Sequence, residues 1–188
     1  MKHYTRVEPT EIITVGNRFK RQVLVKYFRT DDDMEHEFTT FGEPHDSVAV
    51  VALTPETQAI VSHQFRPGRE RYCYDLPGGG VEEGEDFEAA ARRELAEETG
   101  YESSAPLEFL GTYSWDAYSN SRAHYYFLPE CTPMKERIYE QIEVDQGQEA
   151  KMISIDELIT HATRDEMTDA AAVLMAYEKL RALQTKQK

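Results

Sequence analysis

The sequence has little of what would tie it to an oxidising compartment, a membrane or a polyanion. Cysteine occurs only twice, at Cys73 and Cys131. That is too few for a disulfide framework, and the spacing suits no zinc site. Two reduced thiols in a cytoplasmic protein are the simplest account. No apolar run approaches the roughly 20 residues a membrane-spanning helix needs. The opening "MKHYTRVEPTEIITVGNRFKRQ" has no apolar stretch of signal-peptide type. Basic residues are scarce, 21 Lys and Arg against 35 Asp and Glu, for a formal net charge of −14. This balance argues against a nucleic-acid partner, whose binders present a basic face. It leaves open a small phosphorylated ligand held through a metal.

What is present describes a soluble globular chain. Of its 188 residues, 40% are hydrophobic and 30% charged, enough for a sizeable core. The stretch "EIITVGNRFKRQVLVKYFRT" reads as a hairpin about Gly16-Asn17. "HEFTTFG" adds a short strand after the acidic turn Asp31-Asp32-Asp33. "DSVAVVALT" and "QAIVSHQF" read as buried strands. A helix is expected from Phe87 to Thr99, capped by Asp86 and ended by Gly100. "PLEFLGTYSWDAY" and "RAHYYFLPECT" read as strands joined by a turn at Ser119-Asn120-Ser121. "EAKMISIDELITHAT" reads as a strand entering a helix capped by Ser154. A last amphipathic helix, "TDAAAVLMAYEKLRALQ", offers Ala171, Leu174, Met175, Tyr177 and Leu180 to the core. The class is mixed α and β, with a sheet between helices.

The segment "GGGVEEGEDFEAAARRELAEETGY", Gly78 to Tyr101, carries the chemistry. At roughly 100° per residue, Glu97, Glu94 and Glu98 fall within an arc of about 100°, near Phe87 and Ala91. They share the protein-facing side, while Arg92 and Ala96 point to solvent. Like charges at i,i+4 cost a helix about 0.2–0.5 kcal/mol per pair, and partial burial makes this worse. Arg93 pairs with Glu97 but cannot neutralise them all. A hard divalent cation can, and magnesium is commonly shared between carboxylates and phosphates. Gly78-Gly79-Gly80 form a tight turn that lets the backbone approach a metal or phosphate. Arg66, Arg69 and Arg71 lie just upstream, placed for local anion binding.

These residues resemble a family. Gly79, five residues, Glu85, seven residues, then Arg93-Glu94-Leu95-Ala96-Glu97-Glu98-Thr99-Gly100 matches the box of the Nudix hydrolases at every fixed position. "HQFRPGRERYCYDLPGGG" is similar to the approach strand of the ADP-ribose and nucleoside diphosphate sugar pyrophosphatase branch. The resemblance implies an α+β fold, an α/β/α sandwich with a mixed sheet at residues 47–188. It also implies an N-terminal antiparallel β-lobe at residues 1–46, exchanged between the subunits of a homodimer. The implied reaction is hydrolysis of the pyrophosphate bond of ADP-ribose or a related sugar nucleotide, giving a nucleoside monophosphate and a sugar phosphate.

The resemblance also assigns roles. Glu94, Glu97, Glu98 and the Gly78 carbonyl would bind Mg2+, with Mn2+ as a substitute. Gly79 and Glu85 would support them, and Arg93 would orient the carboxylates. Arg66 would contact pyrophosphate, Arg69 and Glu70 the sugar or nucleotide, and Phe28 a base. The family's loop glutamate aligns with Gln146, so Glu143 and Glu149 become the candidate general bases. ADP-ribose-specific members carry a proline shortly after the box. Here that region reads Trp115-Asp116-Ala117-Tyr118, which points to a broader or different sugar nucleotide. Two alternatives stand beside this reading. One is a housecleaning nucleoside triphosphate pyrophosphatase, and the other a non-catalytic ADP-ribose-sensing module.

Overall fold

A computed structural model describes residues 2–16, 20–135 and 149–185. The chain divides into two compact units, Met1–Asp46 with Ser114–Arg122, and Ser47–Tyr113 with Ala123–Lys188. Ser114–Arg122 thus groups with the N-terminal strands, where the sequence reading placed it with residues 47–188.

In the first unit, β1 (Tyr4–Val15) and β2 (Arg21–Thr30) form an antiparallel hairpin whose register runs from Tyr4↔Thr30 to Val15↔Arg21. The Asp31–Asp33 turn follows, closed by the Thr30 amide donating to the Met34 carbonyl at 2.9 Å. β2 then pairs with the first part of β3, from Arg29↔Glu35 to Val23↔Phe41. β3 is one strand, Glu35–Leu53, where two were expected. Gly42 takes a left-handed φ of 79° within that strand, a bend that glycine permits. The Asn120 amide nitrogen donates to Thr40 Oγ1, Phe41 O and Gly42 O at 3.0, 3.1 and 2.7 Å. It thereby ties Ser114–Arg122 to that bend.

The second unit is a sheet covered on both faces. It contains the rest of β3, then β4 (Ala59–Arg66), β5 (Arg71–Asp75), β6 (Gly78–Gly80) and the two-residue β7 (Tyr101–Glu102). Later come β8 (Glu108–Ser114), β9 (Ser119–Leu128), whose start belongs to the first unit, β10 (Thr132–Pro133), which pairs with β7 in a separate two-stranded sheet, and β11 (Glu149–Ile153). β4 lies between β3 and β11 and also pairs with β5, while β6 pairs with β3. Alternation along β3 sorts its residues between two cores. Val48, Val50 and Ala52 pack with Ala90, Ala91 and Leu95 of α1 (Phe87–Thr99). Ala49, Val51 and Leu53 pack with Leu158, Ala172, Val173, Ala176 and Leu180. These last belong to, or join, α2 (Ile155–Thr163), α3 (Ala170–Met175) and α4 (Tyr177–Thr185). Burying each Val or Leu side chain is worth about 1.5–3 kcal/mol, so the two cores hold the unit together.

The helix ends follow local chemistry. Asp86 accepts from the Glu88 and Ala89 amides at 2.9 and 3.3 Å, and Gly100 ends α1 at φ 72°. Ser154 and Glu157 form a reciprocal capping box on α2.

Four expectations need correction. The glycine run is strand β6 rather than a turn, and the turn lies at Gly84, at φ 79°. The turn after β8 covers residues 115–118, because Asp116 Oδ1 accepts from the Ser119 amide at 2.7 Å and from the Tyr118 amide at 2.5 Å. Ser119–Ser121 are therefore strand. The last helix is interrupted at Ala176, and of the five expected core residues Leu180 is buried and Ala171 packs half-buried against the core, while Leu174, Met175 and Tyr177 are exposed. Leu174 is 75% exposed, whereas Ala172, Val173 and Ala176 face the core. The side rich in small residues lets the helix approach the sheet, and the larger apolar residues are left outside. Finally, Arg92 does not point to solvent; its two terminal nitrogens donate to Ser103 O at 2.6 Å and Ala105 O at 2.8 Å.

Candidate active site

Helix α1 packs against β6, which brings its acidic side to the glycine strand. Gly78 lies so close to β3 that a Cβ there would come within 2.2 Å of the Val48 carbonyl oxygen. One residue on, a Cβ at Gly79 would meet the Glu94 carboxylate at 2.5–2.6 Å. The bare strand is thus a cradle for that carboxylate. The Gly78 amide donates to Glu98 Oε2 at 2.9 Å, so a second helix carboxylate reaches the same strand.

Arg93 organises the remainder. Its Nε and one terminal nitrogen donate to the two oxygens of Glu85 at 2.8 and 3.0 Å, a bidentate fork. That nitrogen also reaches Gly80 O at 3.0 Å. The other terminal nitrogen donates to Glu94 Oε1 at 2.8 Å and Glu97 Oε2 at 2.9 Å. Sharing one nitrogen draws Glu94 and Glu97 together despite their repulsion. The Arg93 hydrogen bonds, with the Glu82 amide second, hold the Glu85 carboxyl down at about 2. The Arg93 guanidinium is raised in turn, first by Glu85 and then by Glu94 and Glu97. Glu85, Glu94 and Glu97 are 16, 13 and 27% exposed, open enough for a ligand and buried enough to strengthen charge.

Among the described residues no three His, Cys, Asp or Glu side chains already converge as a metal cluster. Arg93 and the Gly78 amide hold the carboxylates. The donor set nevertheless fits a hard divalent cation. It is all oxygen, lies on one helix side, and faces a strand whose missing Cβ makes the space that the Glu94 carboxylate occupies.

The NUDIX domain model matches residues 43–176, well over half of the chain. The chain belongs to the Nudix family. Enzymes of this family generally use divalent metal ions. Among curated relatives, the ADP-ribose pyrophosphatase of Bacillus subtilis is 29% identical over 124 residues, 66% of this chain and 66% of that protein. The ADP-sugar pyrophosphatase of Mus musculus is 45% identical over 67 residues, 34% of this chain and 31% of that one. The alignments thus span just under two thirds, and just under one third, of those relatives' lengths. Among solved structures, one described as an ADP compounds hydrolase superposes with a TM-score of 0.73 at 18% identity. It covers 96% of this chain and 95% of that one, and so matches the Nudix fold.

The other predicted residues of this Nudix protein lie on other elements. Arg66, at the end of β4, donates through Nε to Asp75 Oδ2 at 2.6 Å. The side chain makes no other hydrogen bond or ion pair with the described residues, and it is 38% exposed. Arg69, expected at the substrate, instead donates to the Asp165 carbonyl and carboxylate at 2.7 and 2.6 Å. Arg71 binds the same Asp165, and Glu70 stands exposed in the intervening turn at φ 53°. Phe28 packs edge-on against Phe38 in the first unit, with Arg6 over its ring. Glu149 begins β11 and pairs with Lys151 at 3.4 Å. Glu143 lies outside the described residues.

Sequence reading missed Asp75, Thr168 and Asp169. Asp75 is fully buried and accepts from Arg66, from the Thr168 amide at 3.1 Å and from the Thr168 hydroxyl. The available signal was a carboxylate set in the apolar strand "RYCYDLP". Asp169 stands at the start of α3, yet its side chain makes no capping hydrogen bond.

Proposed function

We propose that this protein hydrolyses the pyrophosphate linkage of ADP-ribose or another nucleoside diphosphate sugar, releasing a nucleoside monophosphate and a sugar phosphate. The observation carrying this is the cradle itself, with the Nudix box folded so that Arg93 gathers Glu85, Glu94 and Glu97 against a side-chain-free strand. The pyrophosphatases among the curated relatives support the substrate class. Glu94, Glu97, Glu98 and the Gly78 carbonyl would hold Mg2+, or Mn2+ in its place. When bound, the metal would neutralise the pyrophosphate and acidify a water for attack on phosphorus.

The protein's own groups do the positioning. Glu85 locks the Arg93 fork, and Arg93 fixes the carboxylates, so little reorganisation remains when substrate arrives. Arg66 has its Nε anchored and both terminal nitrogens available for phosphate oxygens. Glu149, or Glu143, would accept the proton of the attacking water. The N-terminal strands would pair with those of a second copy in a cytoplasmic homodimer, with Phe28 stacking on the base. Among the described residues no helix is long and apolar enough to cross a membrane.

The test is formation of nucleoside monophosphate from a panel of ADP-ribose, other sugar nucleotides and nucleoside triphosphates, run with magnesium and then with chelator. Metal-dependent turnover of sugar nucleotides is expected. Turnover of triphosphates alone would make the protein a housecleaning enzyme, and tight binding without turnover a sensor.

A further inference from the structure

A second set of coupled charged groups lies behind Arg66. Asp75 on β5 is fully buried, and Asp169, at the start of α3, is 8% exposed. Thr168 stands between them. Its hydroxyl lies within hydrogen-bond distance of Asp75 Oδ1 and, at 3.1 Å, of Asp169 Oδ2. A threonine hydroxyl has one proton, and an ionised carboxylate can only accept. With both aspartates ionised, only one of these contacts can be a hydrogen bond. With Asp169 protonated both are satisfied: Asp169 donates to Thr168, Thr168 to Asp75, and Arg66 Nε and the Thr168 amide donate to Asp75 as well.

We propose that Asp169, acting through Thr168 and Asp75, is a positioning residue that sets the charge Arg66 offers to a substrate pyrophosphate by gaining or losing one buried proton. The substrate role of Arg66 rests on the pyrophosphatase reading above; the proton relay rests on the geometry alone.

The titratable groups acting on Asp169 are Asp75 on β5, Arg66 on β4 and Tyr125 on β9. Burial first, and the charge of Asp75 second, push Asp169 up to about 6, while Thr168, Arg66 and the Leu76 amide pull modestly the other way. Tyr125 adds no cation, and its buried hydroxyl has no hydrogen-bond partner among the described residues. Below this range Arg66 faces one buried carboxylate charge. Above it Arg66 faces two, and Asp169 competes with Asp75 for the Thr168 proton. A second anion near the guanidinium opposes an incoming phosphate, so binding weakens as pH rises through about 6. Linkage requires the converse, that binding a diphosphate raises the affinity of Asp169 for its proton.

The experiment has two parts. Carboxyl NMR titration of the free protein should place Asp169 near the top of the acidic range. Thr168→Val should shift it, because Asp169 loses the hydroxyl it donates to when protonated and competes for when ionised, and Thr168→Ser should restore it. Calorimetry with methylenediphosphonate and magnesium, in buffers of different ionisation enthalpy, should show proton uptake near pH 6 for the parent. Asp169→Asn, which keeps a donor and has no charge to lose, should lack that uptake. Relative to the Asn variant, parental affinity should fall roughly threefold to tenfold from pH 5 to pH 7.5. An Asp169 carboxyl titrating in the ordinary aspartate range overturns the proposal. So does a pH profile shared by parent and Asp169→Asn, provided Arg66→Gln weakens binding. If Arg66→Gln binds the diphosphonate as well as the parent, it is the Arg66 reading that fails, and the proposal with it.

Discussion

Adjacent glycines make the sharpest test of the site, because the same added methyl group meets two different obstacles. At Gly78 the new Cβ would lie 2.2 Å from a backbone oxygen and 2.7 Å from the Ala49 Cα. Backbone cannot step aside, so strand β6 must move off β3. Overpacking of this kind costs about 1–3 kcal/mol or more. For a chain of this length each kcal/mol shifts Tm by about 2–4 °C, so Gly78→Ala should melt several degrees early or fail to fold. At Gly79 the obstacle is the tip of Glu94, a side chain that can rotate away. The price is the hydrogen bond from Arg93 at 2.8 Å. A charged hydrogen bond contributes about 1.5–3 kcal/mol when buried, less here because Arg93 and Glu94 keep some access to water. Gly79→Ala should therefore fold, with Tm lowered by only a few degrees. It moves a proposed metal ligand by more than an ångström, a displacement that costs on the order of 100-fold in rate. Thermal unfolding and sugar-nucleotide turnover, measured on both variants, decide the matter. Full activity in a folded Gly79→Ala protein would remove Glu94 from the machinery. A Gly78→Ala protein as stable as the parent would refute the strand contact.

Two further outcomes follow from the described contacts. Leu180→Ala, at a fully buried position, should cost about 2–5 kcal/mol in denaturant unfolding, while Leu174→Ser should change stability by less than about 0.5 kcal/mol. Glu85 has its folded pKa depressed from 4.5 to about 2, so its contribution is present above the unfolded value and lost as pH falls toward 2. Glu85→Gln should accordingly flatten the stability profile between pH 4.5 and 2, read from urea midpoints; an unchanged acid limb would contradict the Arg93 fork.

The site was legible where its geometry is local. Arg93, Glu94, Glu97 and Glu98 fall together because helical periodicity places them, Glu85 joins them from outside the helix through the Arg93 fork, and Asp86 and Gly100 fix the helix limits. The fold class was legible in the mixture of strand and helix patterns, and "DSVAVVALT", read as a buried strand, sorts its residues between two cores. Three things were not legible, each for a physical reason. The glycines looked like a turn because glycine is permissive, but here they are needed for close approach of strand and carboxylate. The last helix was judged by apolar size, whereas the sheet selected Ala172 and Ala176 for their smallness. Asp75, Thr168 and Asp169 meet only because β5 and the segment before α3 come together, a contact across 93 positions that no local pattern encodes.

Arg93 shows why a helix end so rich in glutamate is stable enough to fold and still primed to bind. A guanidinium fork has five donors in fixed directions, and here they serve Glu85, Glu94, Glu97 and the Gly80 carbonyl at once. A lysine at this position would supply the same charge but not the same reach. Yet one cation among the carboxylates of Glu85, Glu94, Glu97 and Glu98 leaves a formal excess of three negative charges within that set. The arginine therefore settles geometry rather than charge. It holds the carboxylates in register at the cost of leaving them mutually repelled, and the remaining repulsion favours any cation that reaches them. Arg92, one residue earlier, clamps the loop at Ser103 and Ala105. With α1 fixed on that side, the repulsion is not free to unwind the helix end, and a bound cation can relieve it instead.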